Sequence, residues 1–182
     1  MVRPPPLLHP PRVQASAVAP SVAAEALASF VNVKRRMEVR GTVAGVTVYD
    51  DFAHHPSAIA TTLDGLKRQL EQQLAKAGSK SRILAVLEPR SNTMKLGTMK
   101  AQLADSLKDA DLVFCHSGGL GWDPREPLAV MGERAQVADS IDELLSQIMQ
   151  AVQAGDTVVC MSNGGFGGIH GKLLAALQSK VG

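Results

Sequence analysis

Cysteine is scarce in this chain of 182 residues: there are two, Cys115 and Cys160. Each closes an apolar run, Leu112-Val113-Phe114-Cys115 and Val158-Val159-Cys160, and no Cys-x-x-Cys pair exists. Zinc is therefore not expected, and the two thiols read as buried strand residues in a reducing compartment. Excess charge is also small. A formal net charge of +2 argues against a dedicated nucleic-acid binder. Six of the 19 Lys and Arg residues, against two of the 17 acids, fall within residues 1–40, so the remainder is slightly acidic. No apolar stretch approaches the roughly 20 residues of a transmembrane helix. Residues 1–12 are Pro-rich with no apolar core of a secretory signal. A cytoplasmic protein with neither membrane nor nucleic-acid partner is expected.

What is present is enough apolar side chain for a core, 45% against 20% charged. Residues 1–20, with Pro4-Pro5-Pro6 and Pro10-Pro11, read as a PPII-like or disordered tail. A domain over residues 21–182 follows. Ser21 is a plausible N-cap for a helix whose apolar face is Val22, Ala26, Leu27 and Phe30. From Met37 to Tyr49 the residues alternate around Gly41 and Gly45, which predicts a β-hairpin. Ser57 to Ala77 carries Ile59, Leu63, Leu66, Leu70 and Leu74 at helical spacing, with Gly78 as its stop. Ile83–Leu87, Leu112–Cys115 and Thr157–Met161 are short apolar strands. Leu96, Met99, Leu103 and Leu107 predict a further amphipathic helix. Residues 117–127 read as loop. Ser140 and Glu143 form a capping box ahead of Leu144, Ile148 and Val152, and Ile169, Leu173, Leu174 and Leu177 make a last helix. Apolar strands alternating with helices predict a Rossmann-like three-layer α/β/α fold. Its sheet should be mainly parallel, with the hairpin adding an antiparallel edge.

Three loops carry the chemistry. Asp50-Asp51-Phe52-Ala53-His54-His55-Pro56 joins the hairpin to the longest helix. Asp51 could bond ribose hydroxyls, and His54 or His55 could meet a phosphate or a carboxylate. Asp50 and His55 could alternatively cap the helix, with Pro56 at its first position. Glu88-Pro89-Arg90-Ser91-Asn92-Thr93 follows the strand Ile83–Leu87. Arg90 could clamp a carboxylate, while Ser91, Asn92 or Thr93 could donate hydrogen bonds or cap a helix. Ser162-Asn163-Gly164-Gly165-Phe166-Gly167-Gly168 follows the last strand. Its four glycines allow close backbone approach to a ligand, but neither the P-loop nor the dinucleotide fingerprint fits. All three should converge at the carboxyl edge of a parallel sheet, where open α/β folds bind ligands. Lys34-Arg35-Arg36 suits phosphate recognition, although on its own it reads as a solvated charge run.

Together, Asp-Asp-Phe-Ala-His-His-Pro-Ser, Glu-Pro-Arg-Ser-Asn-Thr-Met-Lys and Met-Ser-Asn-Gly-Gly-Phe-Gly-Gly-Ile-His resemble the C-terminal domain of the Mur ligases, the ATP-dependent amide ligases of peptidoglycan synthesis. The resemblance runs from about Ser21 to Lys180. It is strongest to the branch that rejoins a salvaged murein tripeptide to UDP-N-acetylmuramate; the L-alanine-adding branch shares a related His-His-Pro motif but differs in the other two. The resemblance implies ATP and Mg2+ as cofactors, with the P-loop and metal ligands in a central domain and no metal ligand in this chain. It implies that Arg36 meets the ATP phosphates and Asp51 the ribose, with His54 on the nucleotide side. It places His55, Arg90, Ser91 and Asn92, with Ser162, Asn163, Gly164 and Phe166, around the tripeptide. It also implies that an N-terminal and a central domain are missing partners, so that this chain alone has no ligase turnover. A stand-alone phosphate- or peptide-binding module and a hydrolase built on the Asp–His cluster are the competing readings. The second of these lacks a nucleophile or a metal set.

Overall fold

Two of the three strands that read as apolar runs are the innermost of the sheet. In a computed structural model describing residues 19, 21–22, 34–78 and 81–181, every residue of β3 (Ile83–Leu87) and β6 (Thr157–Met161) is buried. Strands covered on both faces have no polar side to show. Around them lie β1 (Glu38–Val43), β2 (Val46–Asp51), β4 (Leu112–His116) and β5 (Ala135–Ala138). The sheet order is β1-β2-β6-β3-β4-β5, and only the β1–β2 pair is antiparallel. The hairpin turns on Ala44 and Gly45, with φ of 55° and 74°. Two successive positive φ values match the twist of a two-residue β-turn to that of its strands. The expected tail, and the first helix with Ala26, Leu27 and Phe30, lie outside the described residues.

Helix α1 (Pro56–Ala77) covers one face with Ile59, Leu63 and Leu66, each buried. Truncating any of them to Ala would cost about 2–5 kcal/mol. Gly78 ends the helix at φ 71°, donating its N–H to the Leu74 carbonyl. The opposite face is covered by α5 (Ile141–Ala151), through Leu144 and Ile148, and by α6 (Ile169–Val181), through Ile169, Leu173 and Leu177. These layers form the three-layer mixed sheet that the alternation predicted. Residues 33–182 make one compact unit. Cys115 and Cys160 are fully buried in it, and burial pushes both thiols well above their ordinary range. No helix among the described residues is long and apolar enough to cross a membrane.

Two expectations fail locally. The amphipathic helix through Leu96 and Leu107 is broken into α2 (Asn92–Lys95), a 3-10 turn (Lys100–Gln102) and α3 (Leu103–Ser106). The break falls at Gly97, against which Trp122 packs. Its indole N–H donates to the Met94 carbonyl at 2.6 Å, and its ring stands over Gly97, which adopts φ 72°. Leu96 is consequently 81% exposed, and Met94 takes the buried place. The second is the stretch 117–127, read as loop: residues 125–127 open the short helix α4 (Arg125–Leu128). Strand β5 carried no expectation; Ala-Gln-Val-Ala is a short edge strand, and only Ala138 in it is buried.

Candidate functional site

Strands β2, β6 and β3 are adjacent and parallel, and Asp51 and Leu87 both pair with Met161. Their following loops therefore leave the sheet side by side. The backbone ties them: Ser162 N–H donates to the Asp51 carbonyl, and Glu88 N–H donates to the Met161 carbonyl. Ser162 Oγ donates to Glu88 Oε2 at 2.6 Å and accepts the Gly164 N–H at 2.9 Å. The expected convergence is thus a bonded unit.

The hairpin delivers a fourth segment to the same edge. Because β1 runs antiparallel to β2, its first residue pairs with Asp50, and residues 34–37 lie beside the 50–56 loop. Phe52 N–H donates to the Arg35 carbonyl. Arg35 turns inward, and Nη2 donates to the carbonyls of Ser162 (2.5 Å) and Gly164 (2.8 Å). Its Nε donates to Asp50 Oδ1 at 3.4 Å. Arg36 is exposed, with its guanidinium 5.2 Å from the Phe52 ring centroid. Arg35, Met37 and Phe166 have φ of 59°, 48° and 43°. These are three of the four non-glycine positive φ values among the described residues, so backbone strain gathers at this edge.

Asp51 is buried at 4% exposure. Its Oδ2 accepts the Met37 N–H (2.9 Å), and Oδ1 accepts the Ala53 N–H (2.8 Å) and the Thr62 hydroxyl (3.2 Å). A carboxylate has about four acceptor directions, so about one remains. His54 Nδ1 lies 2.8 Å from the Phe52 carbonyl, and His55 Nδ1 lies 3.0 Å from Ser57 Oγ. The two imidazoles turn to different partners, as neighbours on an extended backbone do. His55 holds the N-cap position before Pro56 but makes no side-chain cap bond. Asp50 does not cap either; it faces Arg35 and His170.

His170, on the first turn of α6, is a member that the sequence reading missed. Its Nε2 is 3.3 Å from Asp50 Oδ1, at an angle that makes no hydrogen bond. Burial is the main cause that lowers its pKa below 6.5; the Asp50 charge opposes this, and the Arg40 and Arg35 charges reinforce it. The Gly-Gly-Ile-His run held the only clue, a histidine one residue inside the helix that follows the glycines.

A cleft of about 430 Å³ opens between the second and third loops. Arg90, Ser91, Asn92, Lys95, Asn163 and Gly164 line it. Arg90 is half exposed, and its nearest acid is Glu88 at 3.9 Å. Ser91 caps α2 by accepting the Met94 N–H. Asn163 keeps a buried side-chain oxygen with no partner among the described residues. Ser162 and Phe166, both expected at the ligand, are interior: Ser162 is 1% exposed and braces the loop, and Phe166 is fully buried beneath it. A glycine loop needs an apolar anchor to hold its shape, and Phe166 supplies it. Lys95, which the sequence reading did not select, is the second cation of the cleft. On the far side of Gly164 and Gly165 lies another cleft of about 430 Å³, with Arg35, Arg40, Asp50 and His170 in its wall.

Comparison with known proteins is specific. The family profile "Mur ligase, glutamate ligase domain" matches residues 35–164. The chain is 49% identical over 165 residues to the UDP-N-acetylmuramate–L-alanyl-γ-D-glutamyl-meso-2,6-diaminoheptandioate ligase of Escherichia coli, covering 90% of this chain and 35% of that one. It thus spans about a third of the length of the curated relatives it matches. A murein peptide ligase from Psychrobacter arcticus superposes with a TM-score of 0.69 at 43% identity, over 86% of this chain and 32% of that one. A domain from a Haemophilus ducreyi protein, described as a putative ligase of the same tripeptide class, gives 0.64 at 46% identity. That match covers 78% of this chain and 99% of that one.

Proposed function

Since the chain belongs to the Mur ligase family, across its glutamate ligase domain, we infer that it is the closing domain of an ATP-dependent amide ligase. The substrates in this reading are UDP-N-acetylmuramate and L-alanyl-γ-D-glutamyl-meso-diaminopimelate, the pair named for the relative at 49% identity. The observation that carries it is the bonded convergence of the three motif loops on one edge, with a cleft whose exposed charges are both cationic.

In such a ligase the muramoyl carboxylate takes the γ-phosphoryl group of ATP and becomes an acyl phosphate. The peptide amine then attacks the acyl carbon, an amide bond forms, and phosphate leaves with the electrons of the broken C–O bond. This chain would supply positioning and charge, which are the main catalytic contributions in phosphoryl chemistry. Arg36, exposed at the edge, would meet the nucleotide phosphates. Asp51 holds the Arg36 segment through Met37, and its remaining acceptor direction suits one ribose hydroxyl. His54 would flank the nucleotide and His55 the peptide. Arg90 and Lys95 would hold a peptide carboxylate, for which the guanidinium fork is suited. The unpartnered Asn163 oxygen would accept from a peptide N–H. In this reading the Mg2+ that accompanies ATP would be held mainly by a central domain.

The test is joining of the purified chain to the two other domains of a family member, with product and ADP both measured. Tripeptide addition to UDP-N-acetylmuramate is expected only in the joined form. Turnover by the chain alone would overturn the division of labour. Addition of L-alanine in place of the tripeptide would overturn the substrate.

A further inference from the structure

The inward arginine has no assigned task. We propose that Arg35 is a positioning residue that sets the direction of Arg90 through the peptide of Gly164. This rests on the reading of the Arg90 cleft as the peptide site.

The geometry has three parts. One nitrogen of Arg35, Nη2, holds two carbonyls of one loop, those of Ser162 and Gly164, from the side opposite the cleft. Together with the Gly164 N–H bonded to Ser162 Oγ, this closes the chain tightly around Asn163. On the cleft side, Arg90 lies directly on Gly164. A Cβ added there would stand 2.8 Å from Arg90 Nη1 and 2.9 Å from its Cδ. One peptide is therefore held between two guanidinium groups, one fixing it and one resting on it. Arg35 is itself fixed by Asp50, by its N–H to Glu38 Oε2 at 2.8 Å, and by the Phe52 N–H on its carbonyl. Its left-handed backbone, at φ 59°, is retained although a non-glycine residue adopts it at a cost. Arg90, by contrast, has among the described residues only the 3.9 Å contact with Glu88 as an ion pair. Its direction depends on the surface beneath it. A lysine at 35 would keep the charge but lose the planar geometry that aims Nη2 at both carbonyls while Nε is held by Asp50.

The first measurement uses the full chain and nuclear magnetic resonance. In Arg35→Lys, amide exchange at Gly164 should rise about tenfold or more and the Arg90 Nε–H signal should shift, while Val159 in β6 stays protected. Arg35→Gly should do the same; it removes the guanidinium and relieves the left-handed backbone, so it remains informative if the lysine variant folds poorly. The second measurement uses the joined ligase. There KM for the tripeptide should rise about tenfold, with kcat and the KM for ATP within about twofold. Unchanged Gly164 exchange and an unchanged Arg90 signal in both variants would overturn the proposal, as would a parallel rise in the KM for ATP. If Arg35→Lys frees Gly164 and shifts Arg90 while Arg90→Lys leaves the tripeptide KM untouched, the positioning stands and the assignment of the cleft to the peptide falls.

Discussion

The two edges of the sheet treat charge in opposite ways. At the amino edge, charges close on one another. Arg82 meets both oxygens of Asp156, at 2.9 and 2.7 Å, and also donates to the Ala151 carbonyl; Asp156 is 3% exposed and accepts the Gln153 N–H as well. Asp111 accepts the Ile83 N–H, and Lys67 pairs with Asp109 at 2.8 Å. A groove of about 310 Å³ lies there too; in its wall Lys67 and Asp109 pair with each other, and Asp111 and Arg134 are bonded to backbone. At the carboxyl edge the inner groups, Arg35, Asp51 and Ser162, are tied mainly to backbone, and the outer ones, Arg36, Arg90 and Lys95, face solvent. One edge uses charge to close the fold. The other uses backbone bonds to keep charge facing outward, as a binding site requires.

The largest expected effect breaks the amino edge. Arg82→Ala leaves the buried Asp156 without its partner and should cost about 3 kcal/mol, lowering Tm by roughly 6–12 °C without altering tripeptide affinity. Thermal unfolding with calorimetric titration checks both halves, and lost affinity would erase the contrast. The converse variant, Arg90→Ala, should leave stability within about 0.5 kcal/mol. In the joined ligase it should lower kcat/KM for the tripeptide about 100-fold, or about 2.7 kcal/mol. A third variant sits between these extremes. Gly97→Ala puts a Cβ 3.0 Å from the Trp122 ring at φ 72° and should destabilise by about 1–2 kcal/mol. Because the adjoining α2 carries Asn92 and Lys95, denaturant unfolding and tripeptide affinity should both respond.

The smallest effect is pH-dependent. The His170 pKa is lowered in the folded state by burial, so the unfolded chain takes up its proton first as pH falls. Stability is then full above about 6.5 and declines below it, through the folded-state pKa. His170→Gln should flatten that part of the profile, and Arg82→Ala should leave its shape alone. Denaturant midpoints from pH 8 to pH 5 would show this; an unchanged slope in His170→Gln would remove His170 from the account.

The strands β3 and β6 were legible to the residue because a strand buried on both faces is apolar along nearly all its length. The convergence of the loops followed from chain direction alone. The long helix, its glycine stop and the Ser140 cap were local signals, and each held. What could not be read depends on distant partners. Trp122 packs on a helix break 25 residues before it, and Gly97 was the one local signal of that break. Strand β5 is too short and too exposed to carry a period. Lys34-Arg35-Arg36 looked like one solvated run. The hairpin splits it, sending Arg35 into the structure and leaving Arg36 outside. Ser162 and Phe166 were read as ligand groups because they belong to the motif, yet a motif also contains the residues that hold its shape.

The antiparallel hairpin has one more consequence. Since β1 starts at the carboxyl edge, the backbone comes into the sheet at the same place where the clefts open. The start of the hairpin and the candidate binding edge share one address, and Arg35 bonds the one to the loop of the other.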